Sequence, residues 1–186
     1  MEADWEFEMG GDAPVIDAFW IGFVDLRADP ELASCLPETG ELPALALALK
    51  TLNSAGSPVW TSKCDFWPAL QPADFDADEL DASPAAAAHG MGCYLDLLPR
   101  AADSWSRPQH AELACKAVCV FLRQVSLRCC RADLIVRRAF PGDQSDHHGV
   151  TAYLTACGPT PEAAKAVLAQ ALAAFATAIC FGQTLQ

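Results

Sequence analysis

The stretch Val59-Trp-Thr-Ser-Lys-Cys-Asp-Phe66 decides the fold class. It is rich in β-branched and aromatic residues, and Pro58 and Pro68 stand on either side of it, which predicts a strand. A second stretch, Met91-Gly-Cys-Tyr-Leu-Asp-Leu-Leu98, has the same character. Strands with one apolar face need helices or a second sheet to cover them. The two stretches therefore predict a sheet at the centre of the chain.

Helices are predicted around these strands. Ala44–Leu52 is a run of strong helix formers, and Pro108–Leu127 has apolar residues at helical spacing on one face. Thr160 and Pro161 form a typical N-cap and first turn for a helix at the C-terminal end. Before that helix, residues 133–140 and 150–156 predict two further strands, which we expect to pair as a hairpin.

The N-terminal third is predicted to contain one more strand and an arm. The run Val15–Leu26 is almost continuously apolar, as in a strand that is covered on both faces. Residues 1–13 are acidic and contain glycine, so they are predicted to be a loose arm, and residues 14–186 to be a single α+β domain. Residues 67–90, with three prolines, are predicted to be a long acidic connection.

The predicted order of elements is β-α-β-β-α-β, followed by a C-terminal strand and helix. The first six elements resemble the split βαβ plan of ferredoxin-like domains. A three-layer α/β sandwich, with helices on both faces of the sheet, is the alternative, and the nearly unbroken apolar run at residues 15–26 favours it. The resemblance concerns element order, and many unrelated activities share this plan.

Charge and cysteine usage narrow the function classes. The chain has 24 acidic and 12 basic residues, a formal net charge of −12, which argues against nucleic acid or an anionic membrane as partner. The apolar run at residues 163–181 contains Lys165 and Gln170 and is predicted to be a core helix. Nine cysteines without a C-x-x-C pair predict reduced core thiols and no metal site. Together with the acidic N-terminal residues, these features predict a cytoplasmic protein.

A polar cluster is predicted on one face of the sheet. Alternation places Thr61, Lys63 and Asp65 on one face, with Trp60, Ser62, Cys64 and Phe66 on the other. Tyr94 and Asp96 are expected to join the first group from the neighbouring strand, and Arg137 or Arg138, Thr151 and Tyr153 from the hairpin. A lysine among carboxylates and tyrosines can bind a polar ligand or transfer protons. The alternative is a solvated sheet face with ordinary ion pairs.

His147 and His148 follow the predicted hairpin turn. A histidine pair in a loop can act as a base, sense pH or bind a metal, and it can also be merely exposed to solvent. The sequence has no phosphate-binding glycine motif, nucleophile elbow or H-E-x-x-H motif, so no cofactor is identified.

Three hypotheses for function follow. The first is a domain that binds a small polar ligand or a protein partner through the polar sheet face and the acidic connection. The second is an enzyme acting on a small polar substrate, with Lys63, Asp65 and Asp96 as acid–base or orienting groups and His147 or His148 nearby. The third is a structural homodimer. The enzyme hypothesis requires Lys63 and Asp96 to reach one ligand atom.

Overall fold

One mixed sheet organises the chain. The computed structural model describes residues 1–8, 10–71, 73–101, 103–140 and 147–181. The strands are β1 (Glu2–Glu8), β2 (Ile16–Asp17), β3 (Val59–Leu70), β4 (His89–Pro99), β5 (Cys130–Phe140) and β6 (His147–Gly158). The long strands lie in the order β1-β5-β6-β4-β3, and β2 pairs with the end of β5. All pairings are antiparallel except those of β1 and β2 with β5, which are parallel.

In the described part of the chain, five helical segments accompany the sheet, and each begins with a proline. They are a 3-10 helix (Pro30–Cys35), α1 (Pro37–Glu41), α2 (Pro43–Asn53), α3 (Pro108–Arg123) and α4 (Pro161–Phe181). Proline suits the first helical turn because its fixed φ matches the helix and its missing N–H has no partner to lose there. The mixed α+β class is confirmed, and the three long helices agree with the predicted ones.

The three long helices α2, α3 and α4 pack on one face of the sheet. Their buried residues form a single core cluster with alternate residues of the strands, among them Leu95 of β4, Leu134 of β5 and Leu154 of β6. The helix α4 is long and apolar enough, by length and composition, to cross a membrane. In this fold it lies on β6 and α2, and its residues Leu172 and Phe175 are fully buried.

The prediction of a loose N-terminal arm is wrong for residues 2–8, which form β1 at the edge of the sheet. In this strand acidic residues alternate with Ala3, Trp5 and Phe7, a period-two pattern that suits a sheet edge. Ala3 is buried in the core, and its carbonyl accepts a hydrogen bond from Arg123 Nε at 2.9 Å. The strand forms because β5 offers it a parallel partner.

The prediction of a buried strand over Val15–Leu26 is also wrong. Only Ile16 and Asp17 pair with β5; most of the following residues form bends and turns, and Ile21 is fully exposed. Ile16, Ala18 and Phe23 of this segment pack with Trp60 and Leu98 at one end of the sheet instead, and Leu26 packs into the main core. Strand β1 takes the first place in the chain order instead, and the sheet order β1-β5-β6-β4-β3 does not confirm the ferredoxin-like arrangement.

The face opposite the helices, which we call the open face, is covered at its two ends by irregular segments. Residues 16–23 cover one end, where Ile16 and Ala18 pack with Trp60 and Leu98. Residues 73–88 cover the other end, where Leu80 packs near Cys157. The acidic connection is shorter than predicted because β3 continues to Leu70 and β4 begins at His89. Among the described residues, no helix covers the open face, so the three-layer alternative is not formed.

The close approach of α4 to β6 can be tested at Gly158. A Cβ atom there would lie 2.5 Å from the backbone nitrogen of Ala164 and 2.9 Å from the carbonyl carbon of Ala163. We expect Gly158→Ala to lower the free energy of unfolding by about 1–3 kcal/mol, because the first turn of α4 must move away from the sheet. Urea denaturation measures the change.

Gly56→Ala is the matched control, because a Cβ at Gly56 meets nothing within 4 Å. We expect it to change the free energy of unfolding by less than about 0.5 kcal/mol. Equal losses in the two variants would contradict the tight contact between α4 and β6.

Candidate ligand site on the open face

A bulge in β3 determines which of its side chains reach the open face. Thr61 pairs with Leu97 and Cys64 with Leu95, so β3 contains one extra residue between these two positions. The bulge turns Thr61 toward α2, where its hydroxyl accepts a hydrogen bond from the Asn53 amide at 2.8 Å. Trp60 lies on the open face. Ser62 also lies on the open face, where its hydroxyl donates to the carbonyl oxygens of Asp17 and Ala18, so the predicted faces are wrong for Trp60, Thr61 and Ser62.

Beyond the bulge the predicted alternation holds. Cys64 and Phe66 pack against the helix-side core, and Asp65 is the cross-strand partner of Tyr94. Tyr94 in turn pairs with Tyr153, and Tyr153 with Asp133. A row of two tyrosines between two aspartates therefore crosses the middle of the open face.

The two tyrosines of this row and the neighbouring Trp67 form an aromatic shelf. The ring centroid of Trp67 lies 5.8 Å from that of Tyr94 and 6.4 Å from that of Tyr153, and the two tyrosine rings are 6.0 Å apart. The Trp67 ring is nearly parallel to that of Tyr153, with 8° between their planes. Trp67 is 36% exposed. Trp67 is exposed and the two tyrosines are half-buried, so the shelf lies at the surface between the two covering segments.

A buried polar chain runs beside the shelf. Arg137 Nε donates to Glu8 Oε2 at 2.9 Å, and Arg137 Nη1 donates to Thr151 Oγ1 at 3.0 Å. Thr151 Oγ1 donates to Asp96 Oδ1 at 2.6 Å. Arg137, Thr151 and Asp96 are all buried. These hydrogen bonds give the buried polar groups partners within the protein, as buried polar groups require.

Burial also raises the pKa of two acidic groups on the open face, Asp96 and Tyr94. It raises the pKa of Asp96, and the hydrogen bond from Thr151 and the charges of Arg137 and Lys63 act in the opposite direction. Burial, with the charges of Asp96 and Asp65, raises the pKa of Tyr94 to about 12. The Tyr94 phenol is therefore neutral at physiological pH.

The arginines that β5 places on this face already have carboxylate partners. Arg137 pairs with Glu8, and Arg131 Nε lies 2.6 Å from Asp133 Oδ1. Asp65 is exposed, and its Oδ1 accepts a hydrogen bond only from the neighbouring Phe66 N–H among the described contacts. The shelf therefore places partly exposed aromatic rings beside an exposed carboxylate, a combination that suits a positively charged group.

Lys63 does not belong to this cluster. It lies in the bulge, with Nζ 5.9 Å from the ring centroid of Trp20, and it lines a separate cavity at the outer edge of β3. Asp65, Asp96 and Tyr94 do not line that cavity. The acid–base group predicted from Lys63, Asp65 and Asp96 is therefore not assembled around one point.

His147 and His148 do not lie on the same face of the sheet. They are consecutive in β6 and so point to opposite faces of the sheet. On the helix side, His148 Nδ1 lies 3.2 Å from the carbonyl oxygen of Trp105 and is buried. His147 shares the face of Gly149 and Thr151, and its Nδ1 has no hydrogen-bond partner within the described part of the chain. The predicted histidine pair does not act as one unit.

Trp67 and Glu8 are not among the predicted site residues. The predicted boundaries place Trp67 in the acidic connection, although it continues the alternation of β3 from Asp65. They place Glu8 in the loose arm, although it ends the alternating acidic pattern of β1. A period-two pattern is the available signal in both cases: for Trp67 it runs past the predicted end of the strand, and for Glu8 it lies within the predicted arm.

Comparison of the chain with protein-family models, with curated proteins and with solved structures finds no match in any of the three. The function proposed below is therefore inferred from the geometry of the site.

The raised pKa of Asp96 predicts a pH-dependent stability. The pKa is above the ordinary value of 3.8 in the folded protein, so the folded state binds more protons than the unfolded state between those two values. In that window wild-type stability rises as the pH falls, by at most about 1.4 kcal/mol per pH unit from this group. Asp96→Asn keeps an oxygen acceptor for Thr151 and should lose this rise, as measured by urea denaturation across pH.

Asp25 supplies a control of opposite sign. A side-chain hydrogen bond from Arg27 lowers the pKa of Asp25 below 3.8, so wild-type stability falls as the pH drops through the window below that value. Asp25→Asn should remove this fall. If Asp96→Asn and Asp25→Asn change the pH profile in the same direction, the assignment for Asp96 is wrong.

Proposed function

We propose that this chain is a binding domain for a small organic cation, an ammonium or guanidinium group, on the open face of its sheet. The shelf of Trp67, Tyr94 and Tyr153 carries the proposal. Aromatic ring faces attract cations through their quadrupole, and tryptophan does so most strongly. Asp65 beside the shelf would supply the negative charge that anchors such a group.

The protein itself already contains such a contact. The Arg137 guanidinium carbon lies 5.8 Å from the ring centroid of Tyr153. This distance is within the range of a cation–π interaction, which reaches about 6 Å. A ligand cation would use the ring faces that Arg137 leaves uncovered.

Gly92 supports the proposal because it sets the position of Trp67. Gly92 is the cross-strand partner of Trp67, and a Cβ atom on it would lie 3.3 Å from Trp67 Cε3. The indole therefore lies against the backbone of β4, where a larger side chain would push it away. A ring held in this way loses little entropy when a ligand binds, which favours affinity.

The charge of the whole chain also favours a cationic ligand. A net charge of −12 draws cations toward the surface and repels anions. All nine cysteines are free thiols, which supports the proposal of a reducing compartment such as the cytoplasm. A homodimer remains a prediction.

Choline and its uncharged isostere 3,3-dimethyl-1-butanol test the proposal. We expect choline to perturb the NMR signals of Trp67, Tyr94 and Tyr153 and the isostere to leave them unchanged, because only choline carries charge. Trp67→Leu should weaken choline binding about 3- to 30-fold, and Trp67→Phe should weaken it less, because phenylalanine retains a ring.

Phe7→Leu is the control for Trp67→Leu, because Phe7 is a similarly exposed ring on β1, 41% exposed, outside the shelf. Asp65→Asn should also weaken binding, and Asp103→Asn, an exposed aspartate elsewhere, should not. Equal binding of choline and its isostere, or an equal effect of Phe7→Leu and Trp67→Leu, would refute the proposal.

A further inference from the structure

A cavity of about 340 Å³ lies at the outer edge of β3, apart from the open-face shelf. It is bounded by the bulge of β3, by the segment that follows β2 and by the residues that lead into and form α1 and α2. Its volume is at the lower end of the range for small-molecule sites, which begins at about 300 Å³. A ligand for this cavity is therefore small.

Most of the cavity wall is apolar. Trp20, Val24, Leu36 and Leu49 are among the lining residues. Trp20 is held in place because its Nε1 donates to the carbonyl oxygen of Ser62 at 3.3 Å. Such walls favour the apolar part of a ligand, since its burial removes hydrocarbon from water.

Two charged side chains line the same cavity, Lys63 and Glu38. Both are half-buried, and neither forms an ion pair with any residue that the structure describes. Burial raises the pKa of Cys64, a further lining residue, to about 12, so its thiol adds no charge. The cavity thus combines apolar walls with one positive and one negative group.

We propose that this cavity binds a small amphipathic zwitterion, an α-amino acid with a branched or aromatic apolar side chain. Lys63 would bind its carboxylate, Glu38 its ammonium group, and Trp20, Val24 and Leu49 its side chain. A monocarboxylate or a monoamine would leave one of the two charged groups partly desolvated and unpaired, which is unfavourable.

This site is separate from the one in the proposed function. The open-face shelf has ring faces and carboxylates and would favour a simple cation, whereas the cavity would require both charges on one ligand. The bulge in β3 separates them, since it directs Lys63 to the edge and leaves Asp65 beside Tyr94. Either proposal can fail without the other.

An NMR titration of the full chain with L-leucine and L-phenylalanine tests the proposal. We expect signals of Trp20, Val24 and Lys63 to shift. L-leucine should bind about tenfold or more tightly than 4-methylpentanoate, which lacks the amino group, and than 3-methylbutylamine, which lacks the carboxylate, because each loses a charged hydrogen bond. L-serine, which lacks the apolar side chain, should also bind more weakly.

Charge variants make the assignment specific. Lys63→Met should weaken binding of L-leucine and of 4-methylpentanoate and strengthen binding of 3-methylbutylamine, because the unpaired lysine is removed. Glu38→Gln should weaken binding of L-leucine and of the amine and strengthen binding of the acid, because the unpaired carboxylate is removed. Lys165→Met and Glu162→Gln, both on α4 and outside the lining of this cavity, are the matched controls and should leave all affinities unchanged.

Val24→Trp adds a test of the cavity itself. Val24 lines the cavity and is 37% exposed, so a tryptophan at this position can fill the cavity without disrupting the core. A dispersed NMR spectrum would verify that the variant is folded, and L-leucine should no longer bind to it. The proposal is overturned if no amino acid shifts these signals, if L-serine matches L-leucine, or if the two charge variants have the same effect on the acid and the amine.

Discussion

All three long helices lie against one face of the sheet, and this one-sided packing constrains what the other face must contain. The strands place Leu95, Leu134 and Leu154 toward the helices, so their alternate residues point to the open face. Two irregular segments cover only the ends of that face. Its middle is occupied by polar and aromatic side chains that have to satisfy one another or meet water.

A series of side-chain hydrogen bonds from Glu8 through Arg137 and Thr151 to Asp96 satisfies the polar groups in the middle of the open face. It connects β1, β5, β6 and β4 through side chains, and it leaves the arginine unavailable to an anion. The remaining chemistry of the open face consists of ring faces and carboxylates. These groups are the basis of the proposal of a cationic ligand, in place of the acid–base chemistry that the residue types predict.

One extra residue in β3 divides the polar groups of that strand between two places. Before the bulge, Trp60 and Thr61 lie on the faces opposite to those that simple alternation predicts. After it, Asp65 and Trp67 return to the open face. Lys63, in the bulge itself, faces a cavity with Glu38. A single insertion in one edge strand thus separates a cationic group from the carboxylates near which it was predicted.

The sequence by itself determined the strands around residues 59–66, 91–98, 133–140 and 150–156, the three long helices, and the grouping of Asp65, Tyr94, Asp96, Arg137 and Tyr153. These features follow from local periodicity, since side chains alternate every two residues in strands and recur every 3.6 in helices. Only the tertiary structure decided that residues 2–8 form a strand, that residues 18–26 do not, and that Lys63 leaves the cluster. The physical reason is that strand formation at an edge depends on a partner. Glu8 and Arg137 are 129 positions apart, and no local pattern encodes which distant strand will supply the hydrogen bonds.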